Sequence, residues 1–353
     1  MQRNRGPTER AAPVARLKDV ADLAGVSIKT VSNVVNRYEH VSEVTRDRVL
    51  TAVAELGYRP NLAARSLRQS RMGVIALEVP SLDVAYFTEL ATHVNEAAQR
   101  QGYLLLLDHT GGSHAGEERL VHGLRSMLID GAIMNPLSLR PGELDPSRAR
   151  VPIVLTGERE FGRLYDHITI DNVAAAHEAT RHLLELGRRR IAAIGLDGRP
   201  RAGDTIRRRW YGFSVAMHEA GLEVAARWVL PGVDHGHRDG LASVRRLLAS
   251  RPRPDALFCF NDTVALGALR GLREAGVRVP DDVAVVAVDD IEEGRFSTPS
   301  LSTIAPDKAR IARLAVQLLI DRITGRRTGQ GEPFEVGYQL LVRESTAGGT
   351  LPV

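Results

Sequence analysis

Three side chains near the start of the chain have types and a spacing that suit contact with DNA bases. Lys29 and Asn33 lie four residues apart, so on a helix both point to the same side. Lysine suits O6 and N7 of guanine, and asparagine forms a bidentate pair with N6 and N7 of adenine. The neighbouring Ile28 offers only an apolar contact, for example with a thymine methyl group. Together they predict a helix face that reads base sequence.

A second set of side chains in the same region suits phosphate groups. Hydroxyl and imidazole groups hydrogen-bond phosphate oxygens, which positions a protein on DNA without reading its sequence. Ser27 and Asn36, at the two ends of one predicted helix, belong to the expected DNA-contacting set. The other members are Thr30, Ser32, His40, Ser42 and Thr45. The alternative interpretation is an ordinary three-helix bundle with a solvated polar face.

A third set lies farther along the chain, at the ends of predicted strands. Asp171, Asn261 and Asp289 each follow an apolar run of strand length, and Arg209 begins a helix after another run. Because open α/β sheets bind ligands at the carboxyl ends of their strands, we expect these side chains to meet in one site. Carboxylate, amide and guanidinium groups together suit a polyol. Phe87, at the start of an amphipathic helix, can stack on a sugar or base face.

Three short helical patterns position the first two sets. Apolar residues at spacings of three and four predict a helix over 17–24, which Gly25 ends. Ser27 is a suitable N-cap for a second helix over 28–36, and a third helix is expected over about 45–56. Two helices joined by so short a turn are typical of a helix-turn-helix.

From Gly73 onward, apolar runs of strand length alternate with amphipathic helices. Such runs are typical of parallel strands covered on both faces, and repeated βα units predict a doubly wound α/β fold. The number of runs indicates two sheets with a cleft between them. The predicted strands are 74–79, 104–107, 132–135, 153–155, 168–170, 191–194, 257–260, 283–288 and 338–342, with a late helix over 308–323.

Composition and charge narrow the class of protein. The 353 residues are 43% hydrophobic and 25% charged, which is ordinary for a soluble protein of more than one domain. Residues 1–72 hold 13 basic and 7 acidic side chains, whereas the other 281 residues hold 34 and 36. A basic head on a nearly neutral body is typical of a nucleic-acid-binding module joined to another domain. The single Cys259 excludes a disulfide scaffold, and without a signal peptide or membrane-length apolar run we expect a cytoplasmic, nucleoid-associated protein.

Motifs spread along the chain resemble those of the lactose-repressor (LacI/GalR) family of regulators. They cover nearly all of the chain after residue 16 and are together highly specific. In this sequence they are LKDVADLAGVS at 17–27, TVS at 30–32, VN at 35–36, VS at 41–42, LGYRPN at 56–61, AA at 63–64, SL at 66–67, FND at 260–262, LG at 266–267, VDD at 288–290 and REST at 343–346.

The resemblance implies a hinge helix and an effector site. In the family, the segment after the head orders on operator DNA, which would bring Asn61, Ala64 and Leu67 to the DNA. Leu67 matches the leucine that wedges into the central minor-groove step and kinks the DNA. The body resembles periplasmic sugar-binding proteins, which hold a ligand between two lobes. The positions that match the family's ligand contacts are Phe87, Asp171, Arg209, Asn261 and Asp289.

The combined prediction is a small helix-turn-helix head with a hinge helix, followed by a periplasmic-binding-protein-like α/β body of two doubly wound parallel sheets. The expected parts are a disordered arm at 1–15, a DNA-binding domain at 16–60, a hinge helix and linker at 61–72, a ligand-binding and dimerisation domain at 73–345 and a tail at 346–353. We expect lobe one at about 73–171 and 304–332, and lobe two at about 172–303 and 333–345.

The implied function is that of a homodimeric transcriptional regulator that binds palindromic operator DNA, with repression as the expected effect. A small-molecule effector, expected to be a sugar or a related metabolite, controls its operator affinity. Alternatives are a ligand-dependent activator, a corepressor-requiring regulator, a tetramer and, more remotely, a sugar-binding transport component. Because the sequence contains no Gly-rich phosphate loop, no G-x-S-x-G elbow and no H-E-x-x-H motif, we expect no enzyme, cofactor or metal site.

Three features depart from the family pattern. Arg16 stands where members commonly cap the first helix with threonine, and Glu158 lies where some members place an aspartate ligand. The consecutive arginines at 207–209 raise the alternative of a phosphorylated ligand.

Overall fold

The computed structural model describes residues 15–35, 38, 40–58, 71–122, 128–146, 149–159, 161–196, 204–232 and 235–347. The chain divides into two compact units, Met1–Met72 and Gly73–Val353. Several predicted features lie outside the described residues. They are the arm up to residue 14, Asn36, the hinge-helix residues Asn61, Ala64 and Leu67, and the tail beyond residue 347.

Three helices form the described part of the first unit: α1 at Leu17–Ala24, α2 at Ile28–Val35 and α3 at Glu43–Glu55. At the start of α1 Asp19 Oδ2 accepts a hydrogen bond from the Arg16 amide at 2.7 Å, which satisfies the backbone N–H of the residue that stands in place of threonine. α1 ends at Gly25, whose φ of 62° lies in the left-handed region that glycine adopts without strain. This turn brings α2 across α1 after only three residues.

A small apolar core joins the three helices. It consists of Val20, Ala21, Ala24, Val31, Val34, Val49 and Ala52. Leu56, which the helical pattern places inside, is exposed instead. It is the C-cap of α3, where the chain leaves the helical path, so the pattern no longer sets its direction.

Six strands form the sheet of the first lobe of the body. They are β1 at Val74–Val79, β2 at Leu104–His109, β3 at Gly131–Met134, β4 at Ile153–Thr156, β5 at Asp166–Thr169 and β11 at Pro333–Glu335. Their order is β11-β5-β4-β3-β1-β2, and all neighbours are parallel.

Six further strands form the sheet of the second lobe. They are β6 at Ile191–Ile194, β7 at Val229–Leu230, β8 at Ala256–Cys259, β9 at Ala284–Val288, β10 at Ser302–Pro306 and β12 at Tyr338–Leu341. Their order is β12-β10-β9-β8-β6-β7. The edge strand β12 runs antiparallel to β10, and the other pairs are parallel.

Helices cover these sheets and supply their cores. The helices are α4 at Ala85–Arg100, α5 at His114–His122, α6 at Asn172–Glu185, α7 at Asp204–Glu219, α8 at His237–Ala249, α9 at Asp262–Glu274, α10 at Glu292–Arg295, α11 at Lys308–Ile323 and α12 at Glu344–Ala347. α4 and α11 pack on one face of the first sheet. α6 and α7 cover one face of the second sheet, and α8 and α9 cover the other. No helix among the described residues is long and apolar enough to cross a membrane.

Two glycines allow α8 and α9 to pack with their backbones in close approach. A Cβ atom at Gly240 would lie 1.9 Å from the carbonyl oxygen of Val264, and one at Gly267 would lie 1.9 Å from that of His237. Neither site has room for a side chain, so both positions require glycine for this helix pair.

The chain passes between the lobes three times, after β5, after β10 and after β11. This corrects the predicted lobe boundaries at 304 and 333. β10 pairs with β9 and lies wholly in the second sheet, whereas β11 pairs with β5 in the first. A search for apolar runs predicts neither strand. β10 contains the hydroxyl residues Ser302 and Thr303, and β11 is only three residues long.

Candidate functional site

The base-contacting residues predicted in the head lie on α2. Val31 and Val34 of this helix are buried in the core, which leaves Lys29 exposed and Ile28 43% exposed. Asn33 is half-buried and lies one helical turn beyond Lys29. α2 therefore presents a cation, an amide and an apolar group within two turns.

Four hydroxyl residues of the predicted DNA-contacting set, Ser27, Thr30, Ser42 and Thr45, lie at helix N-termini, where the two serines form caps. Ser27 Oγ accepts a hydrogen bond from the Thr30 amide at 3.0 Å, and Ser42 Oγ accepts one from the Thr45 amide at 3.4 Å. The hydroxyl oxygens also lie within hydrogen-bond distance of each other, at 2.8 Å for Ser27 and Thr30 and at 2.9 Å for Ser42 and Thr45. A cap of this kind stabilises a helix by about 1 kcal/mol. These residues thus fix the starts of α2 and α3, whether or not they also bind phosphate.

The remaining predicted DNA-contacting side chains of the head differ in exposure. Ser32 is half-buried, whereas His40 is exposed with its ring against Tyr38, at 5.7 Å between centroids. Arg46 and Arg48, which do not belong to the predicted DNA-contacting set, donate to the carbonyl oxygens of Tyr38 and of Gly25 at 3.1 and 3.4 Å. They add positive charge beside the turns that flank α2.

A cavity of about 1220 Å³ lies between the two lobes of the body. Loops that follow β1, β2, β3 and β4 line it from the first lobe, and α7 with the ends of β8 and β9 lines it from the second. Four of the five predicted ligand residues line this cleft, namely Phe87, Arg209, Asn261 and Asp289. The cleft is large enough for a small metabolite.

Arg209, on α7, is held by three acceptors. Its Nε donates to Asn172 Oδ1 at 2.7 Å, and its Nη2 donates to Asp289 Oδ1 at 3.4 Å. Its Nη1 donates to the carbonyl oxygen of Phe260. A guanidinium has five N–H groups in one plane, so these three bonds fix its orientation and leave two donors for a ligand.

Asp171, the fifth predicted ligand residue, does not line the cleft. It is the N-cap of α6, where its Oδ1 accepts hydrogen bonds from the amides of Val173 and Ala174 at 3.0 and 2.9 Å. The next residue, Asn172, lines the cleft and is only 3% exposed. The Asp171 carboxylate is engaged by the cap, whereas the Asn172 side chain bonds Glu158 and Arg209. The structure thus places Asn172, and not the predicted Asp171, on the wall of the cleft.

Glu158 connects the first lobe to this network. Its Oε1 accepts a hydrogen bond from Asn172 Nδ2 at 2.7 Å, and its Oε2 lies 3.3 Å from Arg208 Nε. Burial raises the pKa of Glu158. The hydrogen bond from Asn172 and the positive charges of Arg208 and Arg209 lower it. Glu158, Asn172, Arg209 and Asp289 thus form one continuous polar chain between the lobes, which we call the cross-cleft chain.

Asn261 and Asp289 follow β8 and β9, but their side chains differ in availability. Asn261 caps α9, with its Oδ1 accepting from the Val264 amide at 2.7 Å and its Nδ2 donating to the His235 carbonyl at 3.1 Å. Asp289 has a φ of 129°, which costs an aspartate roughly 1–3 kcal/mol. Burial raises the pKa of Asp289 to about 6, although Arg209 favours its charged form. A strained, buried carboxylate against a fixed arginine is typical of a binding site.

Glu78, at β1, supports the first-lobe wall of the cleft from behind. Its Oε1 accepts a hydrogen bond from Thr110 Oγ1 at 2.5 Å, and its Oε2 accepts one from the Asn135 amide at 2.8 Å. Asn135 itself lines the cleft. Burial raises the pKa of Glu78 to about 7, although both hydrogen bonds lower it. The position of two cleft loops therefore depends on one buried carboxyl group.

A cluster of contacts joins the lobes beside Asp289. Lys308 Nζ donates to Glu89 Oε2 of α4 at 2.5 Å and to the carbonyl oxygens of Asp289 and Asp290 at 2.8 and 2.7 Å. Glu89 Oε1 also accepts from the Glu292 amide at 2.7 Å. The loop after β9 is thereby tied to the first lobe.

Aromatic side chains form one wall of the cleft. Phe87 and Tyr86 meet edge to face, at 5.4 Å between ring centroids, and both line the cavity. Among the described residues, no group of three or more His, Cys, Asp or Glu is arranged to hold a metal ion. The described cleft therefore combines hydrogen-bonding groups with an apolar ring face.

Comparisons with known proteins cover both units. Residues 16–61 match the family described as "Bacterial regulatory proteins, lacI family", and residues 180–346 match "Periplasmic binding protein-like domain". A curated relative, "HTH-type transcriptional repressor PurR" of Haemophilus influenzae (strain PittEE), is 35% identical over 342 residues, which cover 94% of this chain and 98% of that protein. The chain belongs to the lacI family of bacterial regulatory proteins.

Solved structures support the fold of this lacI-family protein. A putative LacI-family regulator from Sanguibacter keddieii is 39% identical, with a TM-score of 0.72 over 78% of this chain and 99% of that chain. A CelR–cellobiose complex is 33% identical, with a TM-score of 0.67 over 94% and 99%. The Lac repressor dimer bound to operator and the anti-inducer ONPF is 26% identical, with a TM-score of 0.76 over 95% and 100%. The predicted family and fold class are confirmed.

Proposed function

We propose that this lacI-family regulator represses transcription by binding operator DNA as a homodimer, and that an effector in the cleft changes its operator affinity. The observation that carries the proposal is the match to a relative named a transcriptional repressor, which spans both the head and the cleft. The relatives' names and the engagement of the cleft carboxylates in the cross-cleft chain both favour a binding protein over an enzyme.

In this proposal α2 enters the major groove, and Lys29 and Asn33 contact base edges. The exposure of Lys29 and Ile28 supports this role. The caps at Ser27 and Ser42 hold α2 and α3, whose N-termini also attract phosphate. The hinge-helix contacts of Asn61, Ala64 and Leu67 remain predictions from the family resemblance.

The homodimer is proposed because a palindrome needs two heads in a fixed register. One edge of the first sheet supports it. β2 is an edge strand, and its residues Leu104, Leu106 and Leu107 are all exposed. An exposed apolar edge strand is an aggregation hazard unless another surface covers it. We propose that a second copy of this chain covers it; the related Lac repressor was solved as a dimer.

The effector is proposed to contact Arg209, Asn172 and Asp289, with the Phe87 ring against its apolar face. The two free donors of Arg209 and the carboxylate of Asp289 suit vicinal hydroxyls of a sugar or a related metabolite. The related CelR structure holds cellobiose. An effector shifts the equilibrium between lobe arrangements only by its differential affinity for them. In this protein it would act on the cross-cleft chain, which spans both lobes.

The test is selection of bound fragments from sheared DNA of the source organism by purified protein, at near-physiological salt. We expect enrichment of a palindrome with a flexible central step, and reporter repression that depends on that palindrome. The matched comparison is Lys29→Ala against Lys18→Ala, since both lysines are exposed but only Lys29 lies on α2. No enrichment, with or without pooled metabolites, would refute the proposal.

A further inference from the structure

Two charged side chains of the first lobe hold a loop of the second lobe beside the cleft. Glu89 lies on α4, and Lys308 is the first residue of α11; both helices pack on the first sheet. The loop is residues 289–292, which follow β9 of the second sheet. We call these two side chains and this loop the lobe latch.

Three described oxygen acceptors surround the ammonium group of Lys308. Its Nζ donates to Glu89 Oε2 at 2.5 Å and to the carbonyl oxygens of Asp289 and Asp290 at 2.8 and 2.7 Å. The Tyr86 ring, one turn before Glu89 on α4, lies 5.9 Å from the ammonium and adds a cation–π contact. The Lys308 side chain is only 8% exposed. Because an ammonium has three N–H donors, these acceptors fix its position.

Glu89 adds a second connection between the lobes. Its Oε1 accepts a hydrogen bond from the Glu292 amide at 2.7 Å. Glu292 is the first residue of α10, so its amide has no acceptor within that helix. Among the described contacts, two hydrogen bonds through Lys308 and one through Glu89 therefore join the lobes here. The ion pair between the two side chains makes them act as one unit.

The backbone of the loop has a conformation that suits this ammonium. Asp289 and Asp290 have φ values of 129° and 51°, which residues other than glycine rarely adopt. In extended backbone successive carbonyl groups point to opposite sides, whereas both of these carbonyls reach Lys308. Within the second lobe, the Asp290 carboxylate accepts hydrogen bonds from Arg343 and Arg295 at 2.6 and 2.5 Å. The strained conformation is thus held from both lobes.

The lobe latch acts on a predicted effector contact. Asp289 lines the cleft, and its carboxylate accepts from Arg209 while its backbone carbonyl accepts from Lys308. Burial raises the pKa of Asp289, the positive charges of Arg209 and Lys308 lower it, and the negative charge of Glu89 raises it. The latch therefore affects this carboxylate both through the backbone and through charge.

We propose that the lobe latch favours the closed arrangement of the lobes when no effector is bound, and that Glu89 and Lys308 are positioning residues for Asp289. This inference rests on the proposed function and names a regulation of its effector site. An effector that contacts both lobes also favours closure, so the effector and the latch shift the lobe equilibrium in the same direction. Loss of the latch then changes operator affinity in the direction opposite to the effector, whether that effector is an inducer or a corepressor.

The first test measures hydrogen exchange of single amides by mass spectrometry in the full-length protein, without DNA or effector. In Glu89→Ala the Glu292 amide should exchange about tenfold faster or more than in the wild type, because it loses its acceptor in the other lobe. The Gly294 amide, which donates to the Ile291 carbonyl at 3.1 Å within the second lobe, should change little. The matched control is Glu185→Ala, which removes an exposed glutamate whose arginine partner lies on its own helix. An unchanged exchange rate at Glu292 would overturn the proposal.

The second test measures affinity for the enriched palindrome with and without small-molecule extract of the source organism. Glu89→Ala and Lys308→Met should each change the extract-free affinity about threefold or more, in the direction opposite to the effect of the extract on the wild type, and Glu185→Ala should not. A smaller change in both variants, or a change in the same direction as the extract, would overturn the proposal even if the Glu292 amide exchanges faster. Failure of the wild type to bind DNA would refute the proposed function, and the amide exchange would still decide whether the latch forms.

Discussion

Glu78→Gln is expected to stabilise the protein against unfolding at pH 8 and to have a much smaller effect at pH 5. Glu78 is fully buried, and its pKa rises from 4.5 to about 7 on folding. A carboxyl group with a raised pKa contributes stability that is complete below its unfolded pKa and is lost as the pH rises through the folded value. At pH 8 the wild type therefore holds a buried charge that glutamine does not have.

The magnitude follows from the size of the pKa shift. A rise of about 2.5 units at 1.36 kcal/mol per unit gives a cost of about 3 kcal/mol at pH 8, and about 1 kcal/mol remains at pH 5. Glutamine has nearly the same shape. Its carbonyl can accept from the Asn135 amide, and its amide group can donate to the Thr110 hydroxyl, so both contacts of Glu78 have a replacement.

Urea unfolding followed by circular dichroism at both pH values measures the difference. Glu118→Gln serves as the control, because Glu118 is an exposed glutamate of α5 and its replacement makes the same change in charge. We expect a gain that is about 2 kcal/mol larger at pH 8 than at pH 5 for Glu78→Gln, and no such difference for the control. An equal effect at both pH values, or a loss at pH 8, would refute the electrostatic reasoning.

Three further predictions concern the head, the cleft and the helix pair. Lys29→Ala should lose about 1–3 kcal/mol of discrimination at one base pair per half-site in competition binding, whereas Lys18→Ala should not. Asn172→Ala should reduce effector binding at least tenfold by calorimetry, whereas Asp171→Ala should lower stability by about 1 kcal/mol through loss of the cap and retain binding. Gly240→Ala should lower the unfolding free energy by roughly 1–3 kcal/mol or more, measured by urea titration, because its Cβ would lie 1.9 Å from the Val264 carbonyl oxygen.

Each prediction has an outcome that contradicts it. A uniform loss of affinity across all DNA sequences would make Lys29 a phosphate contact. If Asp171→Ala abolished effector binding and Asn172→Ala did not, the proposed effector contact at Asn172 would be wrong. A Gly240→Ala protein with unchanged stability would show that α8 and α9 can separate without cost.

The sequence predicts those parts of the fold that depend on continuous apolar runs. β1 and β9 are such runs and were expected almost to the residue, because a strand buried on both faces needs apolar side chains throughout. β10 was missed because Ser302 and Thr303 satisfy their hydroxyls inside the protein, the first with Thr346 and the second with Asp262. Their burial depends on partners far away in sequence, which no local pattern contains.

Prediction of single residues in the cleft is limited in the same way, because it also depends on contacts between distant parts of the chain. Residue type and the strand end located Asp289 correctly on the cleft, since the chain leaves the sheet edge there. Arg209 also lines the cleft, but it lies in the second turn of α7, which begins at Asp204 and not at Arg209. The choice between Asp171 and Asn172 depends on which of two adjacent side chains caps α6. Both residues can cap a helix and both can bind a polyol, so their types do not decide it. Glu158 entered only through comparison with the family pattern, because its partners Asn172 and Arg208 lie on other elements.

The three passages of the chain between the lobes also affect how the protein is synthesised. The first lobe's sheet begins with β1, but two of its elements come late in the chain. The helix α11, which packs on this sheet, and the strand β11 both follow the second lobe's first five strands. A nascent chain therefore exposes the faces of β3 and β4 that α11 covers until most of the body has been translated. The head carries its own small core and can fold much earlier. Chaperone demand during translation should accordingly fall on the body, and truncated bodies that end before α11 should aggregate.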